Sequence, residues 1–333
     1  MNSEITNFLV ASFYCFSSIN KPEILVNKIK KVCNSLRLRG TIILSVEGIN
    51  GTVAGHPKGI KANMDFLKEQ GFHNLNTKFS ESIEMPFYRM KVKIKKEIIS
   101  MLNNPIDTDS ERGTLIDAKN WNDVIAQDDV ILIDTRNEYE TSIGTFQNSI
   151  LPQIQSFQDF KAYIDTELIH YKDKKIAMFC TGGIRCEKAS AYLKHHGFSD
   201  IYQLDGGIIE YTHQIKKYNL NSKFKGNNFV FDGRMNESIS NDIISLCHQC
   251  DSPSSDHTNC NNQACHILFI QCQICYRKYE GCCSVECKTI YRLPIDEQRK
   301  LRKKPNLAAP LKQYQQSVKP KLKDLIQEKN KLK

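Results

Sequence analysis

The hydrophobic positions of the first hundred residues alternate between the two-residue period of a strand and the 3.6-residue period of a helix. An aromatic, β-rich run comes first, and Pro22 opens a stretch of helical spacing that Gly40 is expected to end. The resulting order βαββαβ predicts a ferredoxin-like α+β unit over residues 1–100. Its strands are expected at 8–16, 41–46, 52–54 and 89–99, with a turn at 47–51 and a second helix at 60–70.

Short apolar strands alternate with helices between residues 115 and 220. Strands connected by helices in this way lie parallel in one sheet, and ligand chemistry collects at their carboxyl ends. We therefore predict a central α/β domain over this range, and α/β as the class of the whole chain. Strands are expected at 130–134, 175–180 and 201–204, helices at 157–171 and 186–196, and a linking strand at 224–231.

Composition changes this picture only toward the C-terminal end. The chain has 46 Lys and Arg against 37 Asp and Glu, yet residues 288–333 alone hold 14 basic and 4 acidic residues. The rest of the chain is therefore nearly neutral, at −1. Nine of the 13 cysteines fall between Cys247 and Cys287. A cysteine-rich module over 221–292 and a basic tail over 293–333 follow from these counts.

Length and hydrophobicity exclude several classes of protein. A chain of 333 residues with 40% apolar residues suits two or three globular domains and argues against wholesale disorder. The apolar run at 8–16 is too short to cross a bilayer and lacks the basic flank of a secretory signal. We expect a cytoplasmic protein with no membrane partner, and the sequence leaves its oligomeric state open.

The clustered cysteines predict metal sites, since thiols in a reducing compartment bind metals more often than they form disulfides. Eight of them suffice for two tetrahedral structural zinc sites, with Cys282 or Cys283 to spare. Two sequential sites and an interleaved cross-brace both fit the spacing, and a reduced cluster without metal is the alternative. The expected ligands are Cys247, Cys250, Cys260, Cys265, Cys272, Cys275, Cys283 and Cys287.

The loop after the strand at 175–180 carries the clearest chemical signal. Cys180 ends the strand, Arg185 lies five residues later, and a helix follows at once. A loop wound over a helix N-terminus directs backbone N–H groups at the sulfur and lowers its pKa, while Arg185 can hold an anion or fix the loop. The alternative, a buried core thiol, fits this glycine-rich context less well. The loop comprises Cys180, Thr181, Gly182, Gly183, Ile184 and Arg185.

A second charged corner is expected from Asp134 and Arg136, at the end of the preceding strand. The loop is one residue shorter than the Cys-x5-Arg loop of cysteine phosphatases, which disfavours phosphate chemistry. Together with Leu204-Asp-Gly-Gly207, these segments resemble a rhodanese domain.

The resemblance extends over three modules, from about residue 8 to residue 310, and is to the tRNA uridine(34) hydroxylase family. It is carried by Glu47-Gly-Ile-Asn-Gly-Thr52, Arg89-Met-Lys-Val-Lys93, Lys96-Glu97, Phe229-Val-Phe-Asp232 with Arg234, and the terminal cysteine pattern. Membership implies oxygen-dependent conversion of the wobble uridine of tRNA to 5-hydroxyuridine, with Cys180 as the catalytic residue. Molecular oxygen is then a co-substrate, and no nucleotide or flavin motif is visible in the sequence.

Two mechanisms and one non-enzymatic role remain open at this level. The Cys180 thiolate could add to the 6-carbon of uracil, with Arg185 or backbone N–H groups stabilising the enolate. It could instead carry a persulfide, as in sulfurtransferases, with Cys186 able to resolve it. A non-catalytic RNA-binding adaptor built on a rhodanese scaffold is the third possibility.

The basic tail is expected to contact RNA phosphates, because lysine and arginine there give affinity without sequence information. A solvated tail with no partner is the alternative. The residues expected to make these contacts are Arg299, Lys300, Arg302, Lys303 and Lys304.

Overall fold

The N-terminal unit is a five-stranded sheet with two helices packed on one face. In this computed structural model, which describes residues 7–102, 106 and 108–303, the strand order is β4-β1-β3-β2-β5. Strands β1 to β4 have the predicted ferredoxin-like arrangement. The strand expected to complete it, at 89–99, is instead β5, an added edge strand parallel to β2. The elements are β1 Phe8–Phe16, α1 Pro22–Ser35, β2 Arg39–Ser45, β3 Gly48–Gly55, α2 Pro57–Glu69, β4 Asn76–Ser82 and β5 Met90–Ile94.

Some of the expected boundaries in this unit were wrong. The helix ends at Ser35, and Arg37, in the left-handed region at φ 54°, makes the turn that Gly40 was expected to make. The turn at 47–51 is shorter, because the residues from Gly48 onward already pair with β1 and β2. The fourth strand was missed, since its buried side chains are the polar Lys78 and Ser82 while Phe79 is 43% exposed. Its pattern therefore lacks the apolar alternation of an ordinary strand.

The central domain is a four-stranded sheet in the order β6-β10-β9-β7, with every pairing parallel, as predicted. Apolar clusters cover both faces of this sheet. The expected helix at 157–171 is a short α-helix followed by a 3₁₀ turn at Leu168–Tyr171. The elements are α3 Thr108–Glu111, β6 Thr114–Ile116, α4 Ala118–Val124, β7 Val130–Asp134, α5 Glu138–Thr141, β8 Gly144–Phe146, α6 Asp159–Thr166, β9 Lys175–Phe179, α7 Ile184–His195, β10 Ile201–Leu204 and α8 Gly207–Tyr218.

The C-terminal module begins with a strand that pairs antiparallel with β8 of the central domain. Its elements are β11 Phe224–Phe229, β12 Asn236–Ser238, β13 His257–Asn259, β14 Leu268–Ile270, α9 Gln273–Tyr279, α10 Val285–Tyr291 and α11 Ile295–Lys303. Lys304 and the residues after it lie outside the described residues. Among the helices described, none has the length and apolar content needed to cross a membrane.

A buried lysine on α7 connects the N-terminal unit to the central domain. The Lys188 ammonium group is fully buried and donates to both carboxylate oxygens of Glu47 at 2.9 Å and to Glu97 Oε1 at 2.8 Å. Burial opposes ionisation of Glu97, but hydrogen bonds from Lys188 and from backbone N–H groups lower its pKa. Each charge in this cluster therefore depends on the others for its solvation.

Replacing Lys188 with Met should lower the free energy of unfolding by about 3–5 kcal/mol near pH 7, because two buried carboxylates lose their cation. A carboxyl with a depressed pKa stabilises the fold above its unfolded pKa of about 4.3, and this contribution is lost on acidification. The difference in the free energy of unfolding between this variant and wild type should therefore become smaller below about pH 4. Urea denaturation at both pH values tests this, with exposed Lys194→Met as the control. An equal loss in both variants would contradict it.

Candidate active site and metal clusters

A cavity of about 650 Å³ lies between the N-terminal sheet and the central domain. Cys180 and Tyr139 line it from the central domain, and Tyr14 and Lys78 from the N-terminal sheet. Phe231, from the segment after β11, closes part of the rim. Since parallel strands present ligand chemistry at their carboxyl ends, the position of Cys180 just after β9 agrees with the expected location of the site.

The loop that holds Cys180 is fixed by two helix N-termini. Gly183 adopts φ 99° before α7 and donates its backbone N–H to Cys180 Sγ at 3.1 Å. The first turn of α8 backs the loop, since Ile208 N–H donates to the Cys180 carbonyl at 3.0 Å. A β-carbon on Gly207 would lie only 2.6 Å from that same carbonyl oxygen. This close approach explains the Asp-Gly-Gly segment that follows β10.

Cys180 and Cys186 are buried and interact, and their pKa values are shifted in opposite directions. Burial raises the pKa of Cys180, but the hydrogen bond from Cys186, the Arg185 charge and loop N–H groups together lower it well below its usual value. Burial and the neighbouring thiolate raise the pKa of Cys186, which also lies 3.7 Å from Thr135 Oγ1. The shared proton therefore stays on Cys186.

Arg185 is paired with Glu140, a residue that the sequence reasoning missed. The guanidinium donates to the two carboxylate oxygens of Glu140 at 2.6 and 2.7 Å, and both side chains are buried. Burial raises the pKa of Glu140, but Arg185 reverses this and holds it below its usual value. Of the two roles considered for Arg185, the geometry favours fixing the loop over binding an anion, because its charge is already neutralised.

Asp134 and Arg136, expected as a second charged corner of the site, pair with each other. Both side chains are fully buried, and they form a two-bonded ion pair with Arg136 Nη2 to Asp134 Oδ2 at 2.7 Å. Arg136 also donates to the Gly144 carbonyl at 2.5 Å. The two charges neutralise each other beneath the edge of the sheet. The pair supports the loop region, and neither residue lines the cavity.

The N-terminal sheet supplies a lysine to the cysteine loop, which the sequence patterns did not indicate. Lys78 Nζ donates to the Gly182 carbonyl at 2.7 Å and lies 4.9 Å from the centre of the Tyr14 ring. Burial lowers the pKa of Lys78 to about 8, against the opposing effect of the Cys180 thiolate. Tyr14 in turn donates to Glu187 of α7 at 3.0 Å. The cysteine loop is therefore completed by a different structural unit.

The cysteine-rich module contains two clusters made of cysteines alone. The first contains Cys247, Cys250, Cys272 and Cys275, and the second contains Cys260, Cys265, Cys283 and Cys287. Within each cluster the four sulfur atoms lie within 4.8 Å of one another. The first and third cysteine pairs along the chain form one cluster, and the second and fourth pairs form the other. This is the interleaved arrangement, and it leaves Cys282 outside both clusters. Four converging thiols are the donor set of a closed tetrahedral metal site.

The fold and the cysteine loop define a protein of the rhodanese class with additional modules at both ends. A family model described as a rhodanese-like domain matches residues 115–214. A UPF0176 acylphosphatase-like domain matches residues 8–98, and a rhodanase C-terminal model matches residues 225–288. Among solved structures, a rhodanese-related protein from Thermoplasma volcanium aligns with 31% of this chain and 92% of its own, at 25% identity and a TM-score of 0.25.

Two curated relatives match almost the whole chain. A tRNA uridine(34) hydroxylase from Leptospira interrogans is 41% identical over 302 residues, which cover 88% of this chain and 80% of that protein. A protein of the same name from Enterobacter sp. strain 638 is 38% identical, covering 91% and 88%. The chain belongs to the tRNA uridine(34) hydroxylase family, which confirms the resemblance seen in its motifs.

Replacing Lys78 with Met should raise the pKa of Cys180, because the variant removes a cation that lies against its loop. The rate of alkylation by iodoacetamide should then rise at higher pH than in wild type, and reactivity at neutral pH should fall. Lys61→Met, an exposed lysine on α2, is the matched control. Superimposable pH profiles for wild type and the Lys78 variant would contradict the role given to this lysine.

Proposed function

We propose that this protein hydroxylates the 5-carbon of the uridine at position 34 of tRNA, with Cys180 as the nucleophile. The observation that carries the proposal is a cysteine on the wall of a cavity of about 650 Å³, whose sulfur accepts the Gly183 N–H at the start of α7 at 3.1 Å. Pockets of this size accept ligands as large as a nucleoside. The names of the relatives support tRNA as the substrate.

The proposed reaction begins when Cys180 Sγ forms a bond to the 6-carbon of uracil. The electron pair of the ring double bond moves to the 5-carbon and the adjoining carbonyl oxygen, giving an enolate. Molecular oxygen then bonds to the 5-carbon, and two electrons and two protons from a reductant convert its outer atom to water. Loss of the proton on the 5-carbon expels Cys180 and restores the ring.

The surroundings of Cys180 suit this sequence of steps. The positive end of α7 and the Lys78 ammonium both lie at the loop, where negative charge moves from sulfur to the ring. Cys186 holds the proton nearest to the sulfur and can keep Cys180 ionised between turnovers. Arg185 acts here as a positioning residue through its bonds to Glu140 and the loop.

We further propose that the two cysteine clusters hold structural zinc. Each offers four thiols that surround one point, which leaves no position open for a substrate. Zinc supplies no step of the reaction in this proposal, and its function is to fold a module that has little apolar core of its own.

We propose a cytoplasmic enzyme whose tail adds phosphate contacts to tRNA binding. Lys300 and Arg302 lie on α11, and Arg299 there pairs with Asp296 at 3.1 Å on an exposed surface. Exposed pairs of this kind contribute at most about 1 kcal/mol, so a phosphate can compete with Asp296 for Arg299. The proposed units are residues 1–100, 115–220, 221–292 and the tail 293–333.

Substituting Cys180 with Ala should abolish 5-hydroxyuridine and nucleosides derived from it in cellular tRNA, because no other group replaces the thiolate. Mass spectrometry of nucleosides from cells that depend on the variant measures this. The purified variant should bind tRNA as wild type does, which controls for folding. Wild-type levels of 5-hydroxyuridine and its derivatives in these cells would contradict the hydroxylase proposal and favour a non-catalytic RNA-binding adaptor.

Metal analysis of the purified protein should give two zinc ions per chain, and Cys275→Ser should lower this to one. Cys282→Ser should retain both, because Cys282 belongs to neither cluster. Equal metal content in the two variants, or a wild-type protein without zinc, would contradict the assignment.

A further inference from the structure

The face of the N-terminal sheet that points away from its helices forms two rows across all five strands. The first row consists of Lys78, Ser12, Thr52, Thr41 and Lys91, which are successive pairing partners. The second row consists of Asn76, Tyr14, Asn50, Ile43 and Lys93. Directly paired residues lie on the same side of a sheet. We call these ten residues the polar face.

The composition of the polar face is unusual for the interior side of a sheet. Ile43 is its one aliphatic member, while the opposite side of the same strands forms the apolar core with α1 and α2. Seven of the ten residues line the cavity that contains Cys180. Hydroxyl and amide groups there add little packing energy, and they are the groups that read base edges and ribose hydroxyls.

The polar face ends at a basic edge, where Lys93 is exposed and Lys91 half-buried. Lys91 and Lys93 lie on the edge strand β5, and Lys95, just beyond it, is exposed and also lines the cavity. Within the described part of the chain, none of these three lysines forms an ion pair, so each is free to meet a phosphate. Tyr88, two residues before β5, is 99% exposed, which leaves its whole ring open for stacking on a base.

We propose that a single-stranded loop of RNA docks on the polar face, with its phosphates at the basic edge and one base in the Cys180 cavity. The two edges of the sheet are separated by four strand spacings, or about 19 Å, which a few nucleotides can span. This inference rests on the proposed function, since it assigns the binding surface for the same substrate. It assigns base recognition to the N-terminal unit, and the tail then contributes only nonspecific affinity for phosphates.

The test measures binding of a tRNA with uridine at position 34 to the full chain over a range of salt concentrations. The Lys91→Ala/Lys93→Ala variant should bind more weakly, and its salt slope should fall by about 0.7 for each phosphate that is no longer neutralised. The matched control is Lys61→Ala/Lys68→Ala, which removes the same charge from exposed positions on α2, on the other side of the sheet. This control should retain the wild-type slope.

Tyr88 gives an independent readout. Tyr88→Ala should weaken binding by at least about fivefold without changing the salt slope, because stacking involves no counterion release, and Tyr88→Phe should bind as wild type. Iodoacetamide reactivity of Cys180 should be unchanged in every variant, which confirms that each one is folded.

Wild-type affinity and slope in Lys91→Ala/Lys93→Ala would overturn the docking surface. A decrease in affinity equal to that of the α2 control would also overturn it, since charge alone would then explain binding. The hydroxylase proposal fails on a different measurement, the modified nucleoside. If tRNA affinity depends on these lysines but the protein forms no 5-hydroxyuridine, the docking surface stands and the hydroxylase proposal fails.

Discussion

The ion pairs of one buried ammonium group, that of Lys188, hold the two halves of the active site together. Its partners Glu47 and Glu97 come from the hairpin and the final segment of the N-terminal unit, whereas Lys188 lies on the helix that follows the catalytic loop. A desolvated cation is tolerated only with anions at hydrogen-bonding distance. These ion pairs therefore fix the orientation of the N-terminal unit against the central domain. The cavity between the two units results from that orientation.

That docking accounts for the electrostatics of the cysteine. Arg185 pairs with Glu140 and Arg136 with Asp134. The Cys186 thiol, the Arg185 charge and backbone N–H groups lower the pKa of Cys180, and Lys78, from the N-terminal sheet, places a further cation at the same loop. A rhodanese loop by itself would lack this lysine. The same sheet offers its polar side to the cavity, so reactivity and substrate contact depend on one interface.

The sequence predicted the parts of the molecule whose signals are local. The parallel sheet, the cysteine loop and the ferredoxin-like order follow from apolar periodicity and glycine placement, which single segments reveal. Pairing across the chain was not predictable in the same way, because Glu140, Lys78 and Lys188 each reach the cysteine loop or the N-terminal unit across 45 or more positions of sequence. Strand β4 was missed for a related reason, since its inward residues serve the site and not the core. The two cysteine clusters show the limit clearly: spacing singled out the eight cysteines that converge in two groups of four but left their pairing open.

The most direct test is whether Cys180 forms a bond to the ring of its substrate. The full chain would be incubated with tRNA carrying 5-fluorouridine at position 34, digested and analysed by mass spectrometry. Fluorine replaces the proton that leaves in the last step, so an addition product should persist. The account predicts that the peptide containing Cys180 carries the modified nucleotide. A chain that forms no adduct, yet holds a stable persulfide on Cys180 after treatment with thiosulfate, would contradict it.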